Sequence, residues 1–186
     1  MANCKVIAVA NQKGGVGKST SVYCIGAGLA MDGRKVLLVD VDPQGDLTKM
    51  LGQRRPHDLP HTLSEQMNAV VQNQSGPEHP EILHHPEGFD FVPANRRLSA
   101  VEVGLVNVMS RETVLKRYLE GIKGNYDYVL LDFLRAGKGR LHLAVFEQVC
   151  GHSSEHRLAL VAGSAELSGT KHRVTSSFFE RLSLNY

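Results

Sequence analysis

The stretch that most restricts what this chain can become is NQKGGVGKST, residues 11–20, with three glycines and two lysines in ten positions. Before it runs CKVIAVAN (4–11), short, apolar and rich in Val and Ile, and RKVLLVDVD (34–42) is a second run of the same kind. Both read as strands buried on two faces, which belong in a parallel sheet. Between them, residues 18–32 bring Val22, Ile25, Gly26, Leu29 and Ala30 to one helical face, and Gly33 stands where a helix end favours a left-handed residue. Together these make a βαβ unit. Its crossover is expected to be right-handed, which puts the glycine loop at the carboxyl end of the first strand, where open α/β sheets bind ligands.

A strand, a glycine-rich turn and then Lys-Ser/Thr at the start of a helix is a phosphate-binding arrangement. Successive backbone N–H groups point inward, glycine removes the Cβ atoms that would block the oxygens, and the helix N-terminus favours an anion. In Lys13, Gly14, Gly15, Val16, Gly17, Lys18, Ser19 and Thr20 the loop supplies every part. Lys18 is placed to neutralise β- and γ-phosphates, Ser19 to give an oxygen to Mg²⁺, and Thr20 to bond a nearer phosphate. A glycine-rich turn with incidental lysines is the plain alternative. The pattern K-G-G-x-G-K-[ST] arises by chance only about once in 10⁴ to 10⁵ chains of this length.

Further along, residues 51–88 hold five of the seven prolines and five of the nine histidines, and read as a loop-rich excursion with one short helix near 62–71. FDFVPAN (89–95) reads as a strand ending at Pro93, and LSAVEVGLV (98–106) as a helix. Ser110 is a candidate cap for a helix with the apolar stripe Val114, Leu115, Tyr118, Leu119 and Ile122, and Glu112 suits its first turn. YDYVLLD (126–132) is an apolar strand that delivers Asp132 at its end. Two carboxylates, Asp40 and Asp42, close the second strand; beside a phosphate loop they read as a switch, and alone as solvated loop residues.

One departure from the usual G-x-x-x-x-G-K-[ST] loop is informative: Gln12 takes its first position and Lys13 follows. KGGVGKST thereby resembles the deviant Walker A motif of the ParA/MinD family of ATPases. VLLVDVDPQGDLT (36–48) is similar to the ParA/Soj branch, YDYVLLD resembles the family's Walker B strand, and VPANRRLSAVEVGLVNVMSRETVLKRYL reads like the matching stretch of ParA proteins. The resemblance covers residues 4–132. It implies a P-loop α/β fold, a mostly parallel sheet flanked by helices, with ATP and Mg²⁺ as cofactors. Two subunits would sandwich two nucleotides, Lys18 serving its own and Lys13, the signature lysine, its partner's. Asp42 would orient the attacking water and touch the Mg²⁺ shell, and Asp132 would hold Mg²⁺ through water. The implied partners are a second copy of the chain, a stimulating ParB-like protein and non-specific DNA, at the bacterial nucleoid.

The family pattern stops at Asp132. The usual switch segment is replaced by FLRAGKG, and residues 133–186 offer one helix (141–149) and one strand (158–162) without clear βα alternation. The domain division is therefore 1–132, nucleotide-binding, and 133–186, a divergent tail, with two alternatives open: the tail continues the same domain, or the sheet is incomplete at its C-terminal side. A divergent member and a truncated or out-of-frame ending both remain open, and the second would give a fragment that binds nucleotide without turnover.

Charge follows the same division: residues 1–132 carry 14 Lys+Arg against 15 Asp+Glu, whereas 133–186 carry 7 against 4. The tail's excess reads as an ordinary solvated face, because no block of like charges exists. Three widely spaced cysteines, Cys4, Cys24 and Cys150, argue for a reducing compartment, the cytoplasm, and Cys4 and Cys24 are expected to pack in the core. His57, His61, His79, His84 and His85 lack metal-ligand spacing and read as solvated loop residues. SSFFERLSLNY (176–186), with one arginine, is a poor membrane-seeking helix, so a MinD-like membrane role is the weakest alternative.

Overall fold

Alternation along one buried strand sorts the molecule into layers. The computed structural model describes residues 4–10, 15, 17–74, 79–105, 113–133 and 159–161. In β2 (Val36–Val41) every residue is buried. Leu37, Val39 and Val41 point into one apolar cluster, and Val36 and Leu38 into another on the opposite face. Because side chains alternate with period two, Asp40 shares the face of Leu38.

That second face is covered by α1 (Lys18–Met31) and α2 (Asp46–Met50); the first is covered by α3 (Leu63–Val71), α4 (Arg97–Leu105) and α5 (Val114–Ile122). The remaining strands are β1 (Lys5–Ala10), β3 (Leu83–His85), β4 (Phe89–Val92), β5 (Tyr128–Phe133) and β6 (Ala159–Val161), with 3₁₀ turns at Pro56–Asp58 and Lys123–Asn125. The sheet order is β3-β4-β2-β5-β1-β6. Five strands are parallel and β3 alone runs antiparallel, against β4. The expected α/β fold with a mostly parallel sheet flanked by helices is the one observed.

Each long element has a local cause. α1 ends at Gly33, whose φ of +74° is the left-handed conformation anticipated there, and Gly33 N–H and Arg34 N–H bond the Ala30 and Leu29 carbonyls. α3 begins with a capping box: Thr62 N–H donates to Glu65 Oε2 at 2.9 Å, and the Thr62 hydroxyl oxygen accepts from Ser64 N–H at 3.4 Å. All five residues of the stripe expected on α5 are buried.

Several expectations need correction. β3 lies inside the segment read as loop, and it forms because Pro86, Glu87 and Gly88 make a three-residue hairpin. There Gly88, at φ +86°, donates to the His85 carbonyl at 2.9 Å. α2, a five-residue helix, was not foreseen. The histidines of this region are not all solvated: His57, His61 and His84 are exposed as expected, but His85 stacks on Phe89 with centroids 4.6 Å apart, and the half-buried His79 bonds Glu81. Cys24 is exposed and Cys4 half-buried, because Cys24 falls on the outer side of α1. Asp40 and Asp132 are the penultimate residues of their strands, not the last. The strand expected at 158–162 is β6, which adds to β1. Ser110, Glu112, Cys150, the helix at 141–149 and the 176–186 segment lie outside the described residues.

α1 approaches β2 closely at Gly26, where a Cβ would lie 2.5 Å from Leu38 Cδ2, whereas Gly28 on the same helix has open space around it. Gly28→Ala should therefore stabilise the fold by about 0.5–1 kcal/mol through helix propensity. Gly26→Ala should destabilise it by about 1–3 kcal/mol through overpacking. Urea midpoints of the two variants measure both, and an equal gain at the two positions would contradict the packing described.

Candidate functional site

The phosphate-binding candidate begins with two residues of forced geometry. Gly15 and Gly17 have φ values of +72° and +80°, and among the described residues outside their chain neighbours no atom lies within 4 Å of a Cβ built on either. Gly17 is the N-cap of α1, which has neither a side-chain cap nor an acidic residue in its first turn. Among the described residues, the first N–H groups of this 14-residue helix thus have no side-chain cap, and Lys18 stands at its first position, where a cation opposes the helix dipole. An anion at this point reverses both penalties. Ser19 is half-buried and Thr20 exposed. Lys13, Gly14 and Val16 lie outside the described residues.

Two neighbouring strands bring the carboxylates to the same end. Asp132 of β5 is in register with Asp40 of β2 and with Val9 of β1, and by strand alternation both aspartates face the layer of α1. Asp132 is 1% exposed, and neither of its carboxylate oxygens has a hydrogen-bond partner among the described residues. Burial pushes its pKa up to about 6; the nearby Ser19 hydroxyl and Lys18 ammonium hold it down part of the way, while Asp42 and Asp46 raise it. Ser19 thus lies close enough to favour the charged form without reaching hydrogen-bonding geometry. Asp42 follows β2, is 8% exposed, and accepts Gln44 N–H on Oδ1 at 2.8 Å. Lys18, Ser19, Asp42 and Asp132 are therefore gathered in one place.

Asp40 differs from Asp132 in having its bonds filled. Its oxygens accept Asp42 N–H at 3.0 Å, Thr48 N–H at 2.9 Å and the Thr48 hydroxyl at 2.6 Å. Burial nevertheless pushes its pKa up to about 7, against the pull of the Thr48 hydroxyl and with the added push of Asp132.

The donor set fits a phosphate with a divalent cation. A buried carboxylate with two unpaired oxygens is costly alone and is a natural cation or metal-water acceptor, and a hydroxyl beside it completes a hard oxygen site suited to Mg²⁺. The glycine turn and the helix N-terminus are suited to an anion.

Comparison with known proteins agrees. The family described as an AAA domain (AAA_31) matches residues 4–135. The sporulation initiation inhibitor protein Soj of Bacillus subtilis is 41% identical over 128 residues, 69% of this chain and 49% of Soj. The chromosome partitioning protein ParA of Caulobacter vibrioides is 38% identical over 136 residues, 69% of this chain and 47% of ParA. The chain belongs to the ParA/MinD family of ATPases. A solved cobyrinic acid a,c-diamide synthase from Mycobacterium smegmatis, with bound ATP analogue and magnesium, superposes with a TM-score of 0.71 and 35% identity. That match covers 97% of this chain and 68% of the synthase. The chain spans about half the length of the Soj and ParA proteins it matches. Among the described residues, no helix is long and apolar enough to cross a membrane.

Sequence reasoning missed Thr48 and Asn95. Both are fully buried polar residues that tie the switch to its surroundings, and nothing in their spacing marks them, because their partners come from other segments.

The raised pKa of Asp132 means that the folded chain holds this proton more tightly than the unfolded one. The resulting stabilisation, about 3 kcal/mol for a shift of roughly two pK units, is complete below about pH 4 and is lost as pH rises through 6. Removing the charge should thus help the ligand-free protein: Asp132→Asn is expected to be more stable by about 1–3 kcal/mol at pH 8, with a much smaller difference at pH 5. Denaturant melts at both pH values measure this. A variant less stable than the parent at pH 8 would show that Asp132 is compensated in the free chain.

Proposed function

We propose that this chain is a ParA/Soj-like ATPase that binds Mg²⁺-ATP, dimerises on it and hydrolyses it in the partitioning of plasmid or chromosomal DNA. The observation that carries the reading is the buried Asp132 carboxylate, unpaired among the described residues, beside Lys18, Ser19 and Asp42 at the start of α1 after a glycine-rich turn. It is supported by the family and by its Soj and ParA relatives.

In this reading the backbone N–H groups of residues 13–20 and the Lys18 ammonium hold the phosphates. Ser19, Asp132 and Asp42 would hold Mg²⁺, which would supply positive charge to the phosphoryl oxygens. Asp42 orients the attacking water. Lys13 reaches the nucleotide of a second subunit, so that hydrolysis is tied to assembly. A ParB-like protein stimulates turnover, and non-specific DNA is bound by the dimer at the nucleoid. The ATP analogue and magnesium bound in the Mycobacterium smegmatis structure support the choice of nucleotide and metal.

A second reading, nucleotide binding without turnover, is favoured by one observation: the family match ends at residue 135, and the Soj and ParA relatives align with 69% of this chain. Turnover of saturating Mg²⁺-ATP, with DNA added, separates the two.

The assignment of the two lysines is testable on the whole chain. Lys18→Ala should weaken binding of a fluorescent ATP analogue by at least about 100-fold, since it removes the charge that meets the phosphates. Lys13→Gln should leave binding within about threefold of the parent while abolishing ATP-dependent dimerisation in sedimentation experiments. If both variants dimerised with ATP as the parent does, the shared-nucleotide dimer would be wrong.

A further inference from the structure

One buried hydroxyl joins three segments around the proposed switch aspartate. The Thr48 hydroxyl donates to Asp40 Oδ2 at 2.6 Å and, with its proton so directed, accepts Ala94 N–H at 2.9 Å. Thr48 N–H donates to the same Asp40 oxygen, and Asp40 Oδ1 accepts Asp42 N–H at 3.0 Å. Asp40, Thr48 and Ala94 are all 1% exposed or less. The end of β2, the short helix α2 and the exit of β4 are thereby tied at a single point. Asn95 extends the tie: its Nδ2 donates to the Pro56 carbonyl at 3.3 Å, and its Oδ1 accepts Arg97 N–H at 3.0 Å and the Ser64 hydroxyl at 3.3 Å.

The turn carrying Asp42 is held at both ends by this arrangement. Gly45 N–H donates to the Asp42 carbonyl at 2.9 Å. Gly45 itself has φ +63°, and a Cβ there would sit 3.0 Å from the Ala94 carbonyl oxygen. α2 has only five residues, far fewer than a helix needs to persist unaided, so its position depends on such anchors. The Asp42 main chain is therefore held through Asp40, and Asp40 through Thr48, while the Asp42 carboxylate itself accepts Gln44 N–H within the same turn.

We propose that Thr48 is a positioning residue for Asp42: acting through Asp40, its hydroxyl holds the Asp42 carboxylate toward the Mg²⁺-nucleotide. This rests on the reading that Asp42 serves Mg²⁺-ATP. Thr48 does not touch the nucleotide; it acts through two hydrogen bonds that a serine keeps and a valine removes. In Thr48→Val, Asp40 retains one backbone donor on Oδ2 and Ala94 N–H loses its acceptor, while the side-chain shape is almost unchanged.

The test uses the full chain and its Thr48→Val, Thr48→Ser and Thr48→Ala variants, titrated with ATP in EDTA and in Mg²⁺. Thr48→Val should bind metal-free ATP within about twofold of the parent, because the glycine loop and Lys18 are untouched. The tightening by Mg²⁺ should fall at least about tenfold, with kcat lowered and KM changed far less, and Thr48→Ser should restore both. Thr48→Ala, which removes the hydroxyl without placing a methyl group against Asp40, gives the same readout if Thr48→Val does not fold. The response to Mg²⁺ is readable whether or not the chain turns over. A Thr48→Val protein with an undiminished Mg²⁺ response, beside a parent that responds, overturns this inference alone. A parent that binds no Mg²⁺-ATP overturns the functional reading and this inference with it.

Discussion

A buried carboxylate with neither oxygen bonded among the described residues is the constraint around which this structure is arranged. Asp132 sits near the end of a central strand, flanked by β1 and β2, where water does not reach it. Such a group costs several kcal/mol when ionised unless a cation meets it. Ser19 and Lys18 lie near and offset part of that cost, and Asp42 and Asp46 add to it. The local excess of negative charge and the scarcity of donors make sense for a site completed by a divalent metal with its nucleotide.

The fold supplies that site through three independent choices that converge on one edge. Parallel strands end together, so β2 and β5 present their aspartates side by side. α1 begins at the same edge with no side-chain cap among the described residues and with a lysine at its first position. The turn between β2 and α2 brings Asp42 back over the strand ends and is fixed there through Asp40 and Thr48. Each choice alone would weaken the protein. Their coincidence is what distinguishes a binding site from an accumulation of unfavourable contacts.

Much of this was legible in the residues. Long apolar runs bounded by glycine marked β1, β2 and β5, and the stripe from Val114 to Ile122 marked α5, because burial on one or both faces writes a period into the sequence. The loop and its lysine were readable because phosphate binding demands glycine and charge at fixed places. β3 escaped because three residues, two of them histidine, carry no period, and their strand exists only through pairing with β4. α2 escaped for the same reason of length. Cys24 was placed wrongly because a small residue on a helix between apolar neighbours does not report which side it takes. Thr48 and Asn95 matter through partners 46 and 39 residues away, which no local pattern can announce.

The central claim is that Asp132 is kept unpaired for a metal that accompanies the nucleotide. Calorimetric titration of the parent chain and of Asp132→Asn with ATP, in Mg²⁺ and in EDTA, tests it most directly. The account predicts one nucleotide per chain, bound at least about tenfold more tightly by the parent when Mg²⁺ is present, with most of that gain lost in Asp132→Asn. Equal affinity with and without Mg²⁺ in the parent, or an undiminished gain in the variant, would contradict it.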